Sequence, residues 1–412
     1  MEILYVLLVL LVLTRVFGEI AVRLGQPALV GELLAGVLLG VLVARQSDTF
    51  PILATLTDDP VFSAVTDLGI FFLMMMAGLE LRPSKLAEAS KPSILVAVFG
   101  LLVPLALGIG LGLWVLPEHD GRAAQALFIG VALAVTAVPV SVGVLVSMGK
   151  LDTPVGRTIV SAAILDDVFS LLLLAVLTAV LQTGSSPDTA SLALLAGKVA
   201  LFFAVAVPAG VYLFPWIGRR VASLRGEELE FSFLVLCGLA YAVVAEWLGL
   251  HFLVGAFVAG LFFVRRTIDE ATYEDVFGKV SALTRGFLAP VFFASIGMHL
   301  EADALVDAPM LVVWMLLAAT AGKVLGAGLP AKWAGLSNRH ALAVGIGMNA
   351  RGAVELIVAD VALRAGLFSS PDPPPPVVAS LYSAVVITAI VTTLITPIGL
   401  ERLLREEPDP KG

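Results

Sequence analysis

Thirteen long apolar runs, joined by short polar loops, take up most of this chain. They lie at about 2–24, 28–44, 62–80, 93–116, 123–147, 155–182, 191–217, 229–248, 250–264, 284–300, 309–330, 340–365 and 377–401. A run of roughly 20 apolar residues crosses a bilayer as a helix. Within lipid, only helices and closed barrels satisfy every backbone polar group. These runs are too long for barrel strands and lack their two-residue alternation, so they are helices. The expected fold is an all-α polytopic membrane protein with 13 transmembrane helices. Charge content agrees, at 14% of 412 residues, where a soluble domain carries about 25%. One cysteine, Cys237, excludes an internal disulfide. Residues 1–17 lack a basic leader, and Arg15, Glu19 and Arg23 follow at helical spacing. They read as the first membrane helix rather than a signal peptide. After Leu400 only a charged tail, 402–412, is expected, with no nucleotide-binding or regulatory domain.

Lysine and arginine set the orientation, because cytoplasmic loops are enriched in them. With the N-terminus outside and the C-terminus inside, 18 of the 25 fall in cytoplasmic positions. Only Arg45, Arg122 and Arg364 fall outside, and Arg15, Lys198, Lys323 and Arg351 lie within spans.

The chain repeats itself. Residues 24–36 match residues 248–260 at seven of thirteen positions, and Gly78-Leu79-Glu80-Leu81 parallels Gly297-Met298-His299-Leu300. Segments 2 and 3 thus answer to segments 9 and 10. Seven spans separate the copies, so they cross in opposite directions. Inverted repeats mark secondary transporters, whose sites lie where the copies meet.

Asp166 and Asp167 are adjacent within the apolar run 155–182. Each ionised aspartate at mid-membrane costs about 2.5–3.5 kcal/mol on insertion scales, so such residues mark ion or proton pathways. Neighbours on a helix point about 100° apart. One can therefore pair with a buried cation while the other faces water. Lys323, some fourteen residues in from Pro309, is the best available partner. Gly322 and Gly326 beside it offer a face for close helix approach. A carboxylate that holds either a proton or a small cation, never both, makes an exchanger.

Segments 5 and 12 read as paired broken helices. In segment 5, Thr136-Ala137-Val138-Pro139 holds a proline that cannot donate a backbone hydrogen bond. In segment 12, Gly345 to Glu355 carries glycines and a buried Arg351, with Glu355 on the same helical face to balance its charge. Thr136, Ala137, Pro139, Arg351 and Glu355 are the expected broken-helix cation site, where freed carbonyls would coordinate the ion. Met74-Met75-Met76 reads as packing or lipid contact, Glu32, Glu80 and Glu246 as residues near helix ends, and 371–376 as an extended proline link.

Ile164-Leu165-Asp166-Asp167, Gly322-Lys323-Val324-Leu325-Gly326, residues 348–359 and residues 288–297 together resemble the monovalent cation/proton antiporter superfamily. The likeness is strongest to bacterial sodium/proton antiporters of thirteen helices. It implies a homodimer in a bacterial inner membrane, with a dimer domain from about 1–80 and 229–300. A mobile core from about 93–182 and 309–401 would carry the ion, and 191–217 would link the two. The unwound stretches would cross beside the aspartates. Asp167 would carry Na+ or K+ (or Li+) and the proton in turn, and Asp166 would pair with Lys323. The aspartate pair with this lysine is similar to the electrogenic branch, which serves pH homeostasis. The expected partners are these ions, the bilayer and a second copy of the chain, with no cofactor and no nucleic acid. Two positions depart from the pattern: Ala137 stands where relatives often carry a hydroxyl or acid, and Ala353 follows Arg351-Gly352 where many have glutamate.

The alternative on the same fold is a potassium/proton antiporter. An intramembrane aspartyl protease needs aspartates on two helices around one water; here they are neighbours on one, and no enzyme is expected. A cation channel needs a symmetric pore with a carbonyl or charged filter, which an inverted repeat does not build.

Overall fold

The computed structural model describes residues 2–45, 51–54, 56, 59–81, 90–183, 189–221, 228–263, 270–300 and 304–405. Six of the cytoplasmic cations read above (Arg82, Lys85, Arg225, Arg265, Arg266, Lys411) and the tail from 406 onward lie outside the described residues. Every regular element described is helical. Ten helices are long and apolar enough to cross a membrane, and Ala28–Val43 and Phe252–Phe262 are shorter apolar helices. The segment at 340–365 is divided into two short helices. The chain clusters into two compact units, whose boundaries run through the first two helices.

In the order of the chain, the helices are α1 Glu2–Arg23, α2 Ala28–Arg45, α3 Pro60–Glu80, α4 Lys91–Val115, α5 Arg122–Ala134, α6 Val138–Ser147 and α7 Pro154–Thr183. They continue with α8 Thr189–Pro208, α9 Leu229–Trp247, α10 Phe252–Phe262, α11 Glu270–Leu283, α12 Pro309–Lys323, α13 Asn338–Gly347, α14 Ala353–Arg364 and α15 Leu381–Leu404. Three of them run on through a single π-helical turn: α8 at Ala209–Leu213, α11 at Thr284–Leu288 and α12 at Val324–Gly328.

The first unit holds Met1–Val16, Ala35–Lys85 and Pro187–Met298. Its core includes Val6, Leu10, Leu39, Val43, Phe62, Val291 and Ala294. Met74, Met75 and Met76 are all buried, so the triplet packs rather than facing lipid. The π turn after α11 leaves carbonyls without helical partners. Arg15 takes two of them, donating to the Arg285 and Gly286 oxygens at 2.6 and 2.5 Å, which satisfies a cation set in an apolar helix. Arg285 in turn pairs with Glu80.

The sequence repeat has a counterpart in packing. Gly25 and Gly249 both end their helices in the left-handed region, at φ 73° and 75°, where glycine carries no Cβ penalty. Gly36 lies against the Ala294 carbonyl, and Gly260 lies against the Met75 carbonyl. Under the repeat these two contacts are each other's equivalents, so each copy's glycine helix packs on the other copy's next segment. A methyl at either glycine meets backbone that cannot yield. Gly36→Ala or Gly260→Ala is expected to cost about 1–3 kcal/mol, read as a lower melting temperature of the detergent-solubilised protein. An unchanged melting curve would contradict the contact.

The second unit holds Phe17–Leu34, Leu86–Ser186 and His299–Gly412. Val96, Ile159, Ala163, Val344 and Leu400 form part of its core. The close approach expected at Gly322 and Gly326 is present: a Cβ on Gly322 would sit 2.7 Å from Pro104 Cβ, and Gly326 lies against the Phe99 carbonyl. Those contacts draw α4 against α12. Glu32, read from sequence as near a helix end, lies within α2 and is buried by the way that helix is turned. The stretch read as an extended proline link bends at 371–373 and enters a one-turn helix at Pro376, a position where proline's missing N–H costs nothing. Gln125 binds that loop, donating to the Leu367 and Ser370 carbonyls at 2.9 and 2.7 Å.

Candidate ion-binding site

Segments 5 and 12 are both interrupted. The chain leaves α5 at Val135 in extended conformation and starts α6 after Ala137. It leaves α13 at Met348 and starts α14 after Gly352, itself extended. The two interruptions touch. The Ala137 N–H donates to the Ala350 carbonyl at 2.8 Å. Gly352 is required at this contact, since a Cβ there would lie 2.6 Å from Ala137 Cβ.

Each break exposes the carbonyls of a helix C-terminus, the negative end of its dipole. Each set is covered by groups from elsewhere in the unit. Arg351, fully buried, donates from Nη1 to the Ala132 and Val135 oxygens at 2.7 and 2.6 Å, and from Nη2 to the Leu133 oxygen at 2.6 Å. Lys323 donates to the remaining Ala134 carbonyl. In the other direction, Thr136 donates to the Met348 carbonyl at 3.2 Å, and Ser141 donates to that of Gly347. The carbonyls of residues 132–135, Gly347 and Met348 therefore already have donors. Thr393 closes the second break from both sides, accepting from the Arg351 N–H at 3.1 Å and donating to the Arg351 carbonyl at 2.9 Å.

Four ionisable side chains are completely buried around this meeting point: Asp166, Lys323, Arg351 and Glu355. Lys323 Nζ is 3.7 Å from Asp166 Oδ1, and Arg351 Nε is 3.7 Å from Glu355 Oε2. Two cations and two anions balance, so the buried set is formally neutral. Lys323 also donates to Thr136 Oγ1 at 2.6 Å, which joins α12 to the first break. Asp167, one position further along α7, is half-buried.

The structure thus brings together Asp166, Lys323, Thr136, Ala137, Arg351 and Glu355. It does not bring in Pro139, which is exposed in the first turn of α6, where its role is to start a helix. Sequence reasoning missed Ser141, Asn349 and Thr393 as members of this cluster. The only signal for Thr393 was the run of hydroxyls at Thr388, Thr392, Thr393 and Thr396 within an apolar segment.

A family model described as the transmembrane sodium/hydrogen exchanger matches residues 6–406. The chain belongs to the sodium/hydrogen exchanger family. It is a membrane transporter that exchanges a cation for protons, not an enzyme. The chain is 31% identical to the Na(+)/H(+)-K(+) antiporter GerN of Bacillus cereus, over 96% of this chain and 95% of that protein. It is 30% identical to a Na(+)/H(+) antiporter of Enterococcus hirae, over 97% and 98%. Among solved structures, its fold matches that of the sodium proton antiporter MjNhaP1 of Methanocaldococcus jannaschii at a TM-score of 0.78, covering 98% of this chain and 99% of that one at 18% identity. In this exchanger, then, the buried charges lie where two broken helices meet within one compact unit.

Proposed function

We propose that this exchanger carries Na+ in one direction and H+ in the other, with K+ as a second cation, and that Asp167 holds the two in alternation. The observation that carries the reading is the buried Lys323–Asp166 pair against the broken-helix contact, with the half-buried Asp167 carboxylate beside it. Asp166 is engaged by a full charge at 3.7 Å. Asp167, half-buried at the next position of the helix, is the carboxylate to which the resemblance gives the exchange. Lys323 is the charge partner of Asp166, and Arg351 with Glu355 holds the two breaks in register. Potassium enters through the relative named as a Na(+)/H(+)-K(+) antiporter. Transport follows alternating access: the core of about 93–182 and 309–401 moves against a dimer domain of about 1–80 and 229–300, linked by 191–217, in a homodimer. The repeats are inverted, and the chain sits in a bacterial inner membrane with its N-terminus outside.

Exchange is electrogenic, with more protons than cations moved per cycle. The test is proton movement in proteoliposomes on adding Na+, then K+, with the Na+ runs repeated in K+-free medium across a voltage-clamped planar bilayer. The expected result is a cation-driven pH change whose rate changes when the clamp voltage is reversed. A voltage-independent rate would make the exchange electroneutral, and no pH change with either ion would overturn the reading.

A further inference from the structure

A small cation that sheds its water needs several oxygens to replace it. A single carboxylate supplies at most two. At the broken helices the exposed carbonyls already accept from Arg351, Lys323, Thr136 and Ser141. Side chains with an uncommitted oxygen are a further source of ligands. Among the described residues of this unit's transport cluster, Asp166, Ser170, Asn349 and Glu355 hold buried oxygens without a hydrogen-bond partner. The Asp166 and Glu355 carboxylates each face a buried cation at 3.7 Å. The Ser170 hydroxyl rotates and can turn onto a carbonyl of its own helix one turn earlier. The Asn349 amide nitrogen donates to Thr320 Oγ1 at 3.3 Å, and its Oδ1 is buried without a hydrogen-bond partner.

Asn349 adjoins the residues that hold the charge pair. It follows Met348, whose carbonyl accepts from Thr136, and the same hydroxyl accepts from Lys323. Its anchor, Thr320, lies one turn before Lys323 on α12. We propose that Asn349 Oδ1 is a neutral ligand of the transported cation and sets its preference among Na+, Li+ and K+. The inference rests on antiport at Asp167. A neutral oxygen completes the ion's coordination without altering the charge of the cluster. A proton needs no such coordination, so loss of this oxygen weakens cation binding and spares proton release.

The test uses the full chain in proteoliposomes, with rates measured against Na+, Li+ and K+ concentration. Asn349→Leu, close in volume, removes the oxygen; Asn349→Asp retains it and accepts from Thr320 in place of donating. Expected for N349L is a rise of about tenfold or more in the apparent KM for Na+, a maximal rate within about twofold of the parent and a narrowed spread among the three ions. N349D keeps a low KM. If N349L leaves every KM within twofold, or if N349L and N349D raise KM alike, the ligand role is wrong. If N349L fails to assemble, N349D alone decides: a KM raised for all three cations equally overturns the proposal. Asp167→Asn, run alongside, tests the antiport reading separately, since exchange that survives it refutes that reading whatever Asn349 does.

Discussion

Asp167→Asn abolishes cation-driven proton movement and leaves the protein folded. The amide has the shape of the acid but neither binds the exchanged proton nor neutralises a cation, so both halves of the cycle lose their carrier. The expected fall in exchange rate is at least about 100-fold. Asp166→Asn does something different. It leaves Lys323, fully buried, without its anionic partner, and breaking a buried pair from one side costs about 3–5 kcal/mol. The two variants are therefore told apart by pairing proteoliposome flux with thermal unfolding in detergent: D167N loses flux with little change in melting, and D166N loses stability. Because proton and cation compete for one carboxylate, acidification raises the apparent KM for Na+ in the parent. The dependence approaches tenfold per pH unit once the carboxylate is mostly protonated. A KM for Na+ that does not move with pH, or exchange retained in D167N, would refute a shared site.

Replacing Arg351 has the largest expected effect on stability. Its guanidinium supplies hydrogen bonds to three carbonyls of the α5 terminus and faces Glu355. Arg351→Met orphans those carbonyls, at about 1–3 kcal/mol each, and leaves a buried carboxylate unpaired, at about 3–5 kcal/mol. Set against a typical net stability of about 5–15 kcal/mol, these losses predict no monodisperse protein on size exclusion in detergent. Arg351→Lys does not rescue it, because a single ammonium cannot reproduce the planar fork that reaches Ala132, Leu133 and Val135 together. Glu355→Gln is milder, since the guanidinium keeps all three carbonyls. Adding Glu355→Leu to Arg351→Met recovers part of the loss by removing the stranded charge. Equal stability of R351M and E355Q would show that the cap on α5 contributes little.

What was legible in the sequence was local. The length of each apolar run settles the membrane-helix class, because lipid leaves a backbone of that length no other way to pair its polar groups. Pro139 and the glycines of 345–352 mark where segments 5 and 12 stop being helical, since they act on their own backbone. The adjacent aspartates, Lys323 and the Arg351–Glu355 spacing stand out because an ionised residue in an apolar run is costly wherever the chain later packs.

What only the tertiary structure decided is which polar group meets which. Arg351 could have been read as a cation beside an anion; that it caps residues 132–135 depends on two breaks more than 200 residues apart coming into contact. Thr136 and Ser141 cover the second break for the same reason, and Thr393 locks it from a third helix. The exposure of Pro139 and the burial of Glu32 depend on how each helix is turned, which composition does not record. Nothing in the sequence singles out the Asn349 oxygen, because an open oxygen is defined by the donors that packing fails to bring to it.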